Sequence, residues 1–157
     1  MSNEPYEPQK LFTVEKANAS LPLVRAIAKD LSELSRDVLE RRDRLAQLMA
    51  GHDARSTNSP YHEELVQQQE DLKVDAERID EYVEELRALG VEPKNGVEGL
   101  MDFPARMDGR IVYLCWKLGE PEVLHWHELD AGFAGRHPLA AGSLASEGND
   151  SEFELGE

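Results

Sequence analysis

Two runs of apolar side chains, spaced alternately three and four residues apart, constrain this chain more than any other feature. In the first run Val24, Ile27, Leu31, Leu34, Val38, Leu45 and Leu48 recur at that spacing, and only Arg41 interrupts them. In the second run Leu65, Gln69, Leu72, Ala76, Ile79, Val83 and Leu86 repeat it. A repeat averaging about 3.5 residues keeps these positions on one stripe of an α-helix, and that stripe is buried only against another helix or a sheet. The segment from Gly51 to Pro60 is rich in Gly, Asp, Ser, Asn and Pro, so it breaks the helical pattern and folds the two runs back on each other. The expected result is a long antiparallel two-helix hairpin over residues 20–90, coiled-coil-like, each helix roughly 45 Å long at 1.5 Å per residue. Gly90 supplies the stop after the second helix. Before the first, Thr13 reads as the N-cap of a short helical turn and Ser20, ahead of Leu21-Pro22, as a second N-cap that opens the long helix.

Charge follows the same division. Residues 20–50 hold six basic and five acidic side chains, whereas residues 61–89 hold ten acidic and three basic ones. A near-neutral helix against a strongly acidic one gives flanking attraction that sets register, while each exposed pair contributes well under about 1 kcal/mol. The chain as a whole carries a net charge of -15, concentrated in the second helix and in residues 120–157. The basic cluster Arg36, Arg41, Arg42 and Arg44 is interleaved with Asp37, Glu40 and Asp43, so it offers no positive excess for a phosphate backbone. Nucleic acid is therefore not an expected partner.

Beyond Val91 the helical period is lost. Gly, Pro and Asp punctuate short stretches at Val97 to Phe103, Arg110 to Lys117 and Glu122 to Glu128, with Met107-Asp108-Gly109 as a turn. Ile111 to Trp116 is rich in β-branched and aromatic residues, and Val123 to His127 reads as the strand returning from a turn at Leu118 to Pro121. The expected fold class is α+β, with a small antiparallel sheet of about three strands, enough to be stable, at the base of the hairpin. Residues 11–138 form the single expected domain, with the sheet and a following loop in 91–138. Residues 1–10 read as a flexible leader and 139–157 as a disordered acidic tail. The one cysteine, Cys115, excludes an internal disulfide, and no apolar stretch is long enough for a signal peptide or a membrane span. These features point to a cytoplasmic protein.

The opening Leu11-Phe12-Thr13-Val14-Glu15-Lys16-Ala17-Asn18 with Leu21-Pro22-Leu23-Val24, the stretch Val112 to Glu122, Trp126-His127-Glu128, and Gly132-Phe133-Ala134-Gly135-Arg136 resemble the bacterial family called domain of unknown function 2203. The resemblance covers residues 11–138 and implies a small cytoplasmic protein. It assigns no catalytic residue.

Three classes of function are left open by the residues themselves. The leading expectation is a non-enzymatic protein that acts by contact. Its interaction surface would comprise Trp126, His127, Glu128, Phe133 and Arg136, and the hairpin would recruit a partner protein or a second copy into a homodimer. A metal-binding protein, possessing a divalent ion such as zinc, is the second. His125 and His127 share a strand face, and Cys115, Glu122, Glu120 or Glu128 would complete the ligand set. Here the register decides: a four-residue turn over 118–121 sets Leu114 opposite His125 and turns Cys115 to the other face, whereas a shift of one residue brings Cys115 to His125. The third is an anion site, in which Gly132, Gly135 and Arg136 would present backbone amides and a guanidinium to a phosphate. Catalysis has thin support, because none of the common nucleophile, phosphate-loop or zinc-protease motifs is present. Trp116, Trp126 and Tyr113 read as the sheet's contact with the helices.

Overall fold

A computed structural model describes Pro8, residues 10–51 and residues 59–139. Most of the leader, the hairpin tip at 52–58 and the acidic tail beyond 139 lie outside the described residues. Two helices, α1 (Val14–Ala50) and α2 (Pro60–Ala88), pack antiparallel. They precede five strands: β1 (Glu92–Asn95), β2 (Leu100–Met107), β3 (Arg110–Lys117), β4 (His125–His127) and β5 (His137–Pro138). The strands form one antiparallel sheet in sequence order. The α+β hairpin architecture stands, with five strands among the described residues in place of about three. β1 and β5 are short edge strands of four and two residues that carry little periodic signal of their own.

The first helix is continuous, which corrects the expected break at Ser20. Thr13 is its N-cap, accepting from the Lys16 amide at 3.1 Å. Pro22 lies inside it. Proline has no N–H for the Asn18 carbonyl, but its fixed φ is helical, and the surrounding burial of Ala17, Leu21 and Val24 holds the chain in line. Ser20 turns its hydroxyl back to the Ala17 carbonyl at 2.8 Å instead of capping a new helix. Ser59 does cap α2, accepting from the His62 amide at 3.0 Å.

The stripe on α1 is buried at Leu21, Val24, Ala28, Leu31, Val38 and Leu45. On α2 the seam keeps Leu65, Leu72, Ile79 and Leu86 but takes Gln68 and Asp75 in place of Gln69 and Ala76, which are exposed. The reason is Arg41. The residue that interrupts the first run reaches across the seam to the Asp75 carboxylate and back to Asp37 at 3.0 Å, so Asp75 must face inward.

The main core lies between the proximal half of the hairpin and one face of the sheet. Phe103, Met101, Val112, Leu114 and Trp116 meet Leu21, Val24, Ile27, Leu31 and Leu86 there. Trp126 packs at its margin, while Tyr113 points to the other face against His127, contrary to its expected place with the tryptophans. The β2–β3 hairpin turns on Asp108 and Gly109, both at positive φ, the type I′ geometry that suits an Asp-Gly pair. The β3–β4 connection is longer than the expected four residues and runs from Leu118 to Leu124. It is pinned to α1: the Val123 amide donates to Asn18 Oδ1 at 2.7 Å, and Arg25 donates to the Pro121 carbonyl at 3.1 Å. No helix among the described residues is long and apolar enough to cross a membrane.

Candidate functional site

Strand alternation sends every second side chain to the face away from the helices. On that face β2 contributes Asp102, β3 contributes Cys115, and β4 contributes His125 and His127. The β3–β4 register pairs Cys115 with His125 and Tyr113 with His127, and β2–β3 pairs Asp102 with Cys115. The register expected from a four-residue turn is therefore displaced by one residue, and Cys115 shares the histidine face. The cause is the anchored 118–124 connection. Trp116 Nε1 donates to the Glu120 carbonyl at 2.9 Å, and the Lys117 amide donates to Glu120 Oε1 at 2.8 Å, a turn of its own that sets where β4 can start.

Asp102, Cys115 and His127 converge. Their donor atoms lie within 4.8 Å of one another, and each residue is 1–2% exposed. The imidazole is fixed at both ends: Nδ1 lies 2.7 Å from the Glu128 backbone oxygen, and Nε2 lies 3.0 Å from Asp102 Oδ1. A carbonyl oxygen only accepts, so Nδ1 carries a proton. A second proton then lies between Nε2 and Oδ1, since two lone pairs facing each other at 3.0 Å in a buried site would repel. The pair is electrically neutral wherever that proton sits. Burial pushes the Asp102 carboxyl above the usual carboxylate range, against the opposing pull of His127 and of the Lys94 ammonium. Burial, with the Asp102 charge, pushes the Cys115 thiol up to about 12. A nucleophilic cysteine needs the opposite shift and a base turned to its sulfur, whereas His127 gives its Nε2 to Asp102.

Over this cluster the chain after β4 folds back as a cover. Leu129 to Gly132 leads into a 3₁₀ turn, Phe133–Gly135, and then into β5. A cavity of about 280 Å³ remains beneath it, bounded by Asp102, Cys115 and His127 on the sheet and by Leu129 and Phe133 on the cover. The cover is latched by Arg136, which forks onto Glu120 at 3.1 and 2.8 Å and brings its Nη1 to 4.0 Å from Cys115 Sγ. Burial opposes a charge on Glu120, but Arg136 and the Lys117 amide hold its carboxyl below the usual range.

The other expected site residues have other roles. His125 lies 3.9 Å from Glu120 and outside the cluster, and Glu122 is exposed. Glu128 pairs with Arg110 at 2.5 Å, so Arg136 takes Glu120 rather than Glu128 or Asp130. The Gly135 and Arg136 amides are spent within their turn, on Gly132 and Phe133 oxygens, and the Arg136 guanidinium is committed to Glu120. Of the groups expected to cradle an anion, Gly135 and Arg136 thus already have partners. The five residues expected to form one contact surface are likewise divided. His127 is buried, Trp126 stacks on His137 with centroids 4.8 Å apart, and Phe133 is 40% exposed between Arg136 and Lys117. Asp102 escaped the sequence reading, although its signal was there: a carboxylate set in the apolar run Leu100-Met101-Asp102-Phe103.

Fold and site together define a helical hairpin backed by an antiparallel sheet, with a buried Asp–Cys–His cluster on the sheet's far face. The chain belongs to the family described as "Uncharacterized conserved protein (DUF2203)", whose model matches residues 10–139. No curated protein and no solved structure matches it.

Proposed function

We propose that this protein binds a divalent transition metal of the zinc class, through Asp102, Cys115 and His127. The observation that carries the reading is the convergence of one oxygen, one sulfur and one imidazole nitrogen within 4.8 Å, with the far nitrogen of the imidazole anchored on a backbone carbonyl. That anchor is the outer-shell contact a ligating histidine requires, because it fixes the ring and leaves Nε2 to face the ion. Bond lengths of about 2.0–2.3 Å in a tetrahedral zinc shell set donors about 3.3–3.8 Å apart, so wider-spaced donors would draw together while Asp102 and His127, now 3.0 Å apart, would part slightly. The thiolate selects against magnesium and calcium, which take oxygen ligands. Asp102 and Cys115 as anions would balance the ion's two charges. Three protein ligands leave a fourth position, and all three residues border the cavity, so that position would open into it.

The test is titration of the chelator-treated full chain with zinc or cobalt. About one ion per chain should bind, with a thiolate-to-cobalt charge-transfer band. Cys115→Ala and His127→Ala should abolish this, while His125→Ala and Glu122→Ala retain it. Binding that survives Cys115→Ala, or stays below about 0.1 ion per chain, overturns the reading.

A second reading concerns assembly and rests on a separate observation. Only Leu65 and Leu86 of the α2 seam are buried, while Leu72, Ile79 and Val83 stay half-covered, so pairing with a second hairpin would complete their burial. Light scattering at high concentration should then give a dimer mass; a monomer mass removes this reading.

A further inference from the structure

The cavity has a chemistry of its own. Its volume of about 280 Å³ lies at the small end of the roughly 300–1,000 Å³ range of ligand sites. A volume at that lower limit suits a ligand of a few carbons better than a nucleotide. Its walls away from the cluster are mostly apolar, supplied by Leu100 from β2 and by Leu129, Ala131 and Phe133 from the cover. Lys94, exposed on edge strand β1, is among the described residues the one lysine or arginine that borders it. Its ammonium stands 4.8 Å over the Tyr113 ring, a residue of the same sheet face, and forms no ion pair among the described residues. The acidic residue Asp130 borders the same space. The single lysine matches the charge of a monoanion and leaves a dianion such as phosphate half-balanced, and Asp130 opposes the dianion more strongly.

We propose that the cavity takes a small monocarboxylic acid with an apolar body, its carboxylate between the Lys94 ammonium and the metal's open position and its body against Leu129 and Phe133. This inference rests on the metal reading above. The carboxylate would supply the fourth ligand to an ion held by Asp102, Cys115 and His127, and its second oxygen would accept from Lys94. Aliphatic and aromatic acids of a few carbons fit the volume and the walls. Gly132, at a φ of +71°, lets the cover turn back beside the cavity without a side chain projecting from that position.

The test uses the cobalt-loaded full chain, titrated with isobutyrate, benzoate or inorganic phosphate, and read by the cobalt visible spectrum and by calorimetry. Benzoate and isobutyrate should each shift the cobalt bands with one-to-one binding, and phosphate should bind more weakly than either. In Lys94→Met cobalt should still bind at about one ion per chain, while the benzoate affinity falls by about tenfold or more, the scale of a lost charge-assisted hydrogen bond. Cobalt binding with no response to either acid overturns this proposal and leaves the metal site standing. Phosphate binding tighter than benzoate, or an unchanged benzoate affinity in Lys94→Met, also overturns it. Failure to bind cobalt at all is the distinct failure of the metal reading.

Discussion

Replacing Asp102 with Asn separates the observed hydrogen bond of this buried carboxyl to His127 from its proposed part in metal binding. In the metal-free protein the Asp102–His127 pair shares one proton across 3.0 Å, with the other imidazole nitrogen donating to Glu128. An asparagine of nearly the same shape can turn its amide N–H toward Nε2 and donate to it, so a neutral imidazole keeps both bonds. The expected cost in chelator is therefore about 1 kcal/mol or less, the net worth of one hydrogen bond. Had the pair been a buried ion pair dependent on its carboxylate, removing that charge would cost about 3–5 kcal/mol. The proposed metal-bound state would behave differently, because an amide is a poor ligand and leaves one positive charge unbalanced. Loss of even an outer-shell partner weakens metal sites about 10–100-fold, so a lost ligand should cost at least about 1.4–2.7 kcal/mol. Urea unfolding of both proteins, in chelator and with zinc at about 100 times the wild-type dissociation constant, reads both quantities. The wild type should gain about 2.7 kcal/mol from zinc, and Asp102→Asn much less. Equal gains in the two proteins would refute a role for Asp102 in binding, and a loss above about 3 kcal/mol in chelator would refute the equivalence of the two hydrogen bonds and show a buried ion pair, its proton on the imidazole.

Further outcomes follow from the same geometry. The folded protein holds the Cys115 thiol up to about 12 against an ordinary value near 9, so its contribution to metal-free stability is complete below pH 9 and is lost as pH rises toward 12. The loss is about 1.4 kcal/mol per pH unit, and Cys115→Ala should lack that slope in denaturant unfolding. Glu120, held low, contributes above the usual carboxylate range, and that contribution is lost as pH falls through its folded pKa. Glu120→Gln should accordingly speed hydrogen exchange at the Gly135 and Arg136 amides at neutral pH, while leaving exchange in α1 unchanged. Gly99 sits at a φ of +73°, and a Cβ there would meet the Leu118 Cβ at 2.4 Å. Gly99→Ala should cost more than about 1 kcal/mol in the same unfolding assay, whereas Gly51→Ala, in open surroundings, should cost little.

The hairpin was legible because its signal is periodic and long. Shared positions such as Leu31, Val38, Leu65 and Leu86 identify the stripe whether or not each flanking residue is assigned correctly. The flank chosen by α2 was not legible, because it depends on Arg41 finding Asp75, a contact between residues 34 positions apart. Pro22 misled because a proline inside a helix is opposed by local chemistry and tolerated through burial on either side. In the sheet, β2 and β3 were visible as apolar runs, yet the face on which Cys115 falls turned on a single residue of register. That residue is set by the Glu120 turn and by Asn18 on α1, 105 positions from its partner Val123. The site shared this fate: His127 and Cys115 were conspicuous as residue types, while their meeting with Asp102 is a property of three aligned strands.

The proposed metal centre at Asp102, Cys115 and His127 is tested most directly by X-ray absorption at the zinc edge on the zinc-loaded full chain. The predicted shell contains one sulfur at about 2.3 Å together with nitrogen and oxygen at about 2.0–2.2 Å. A shell without sulfur, or a chain that retains no zinc after gel filtration, would contradict it.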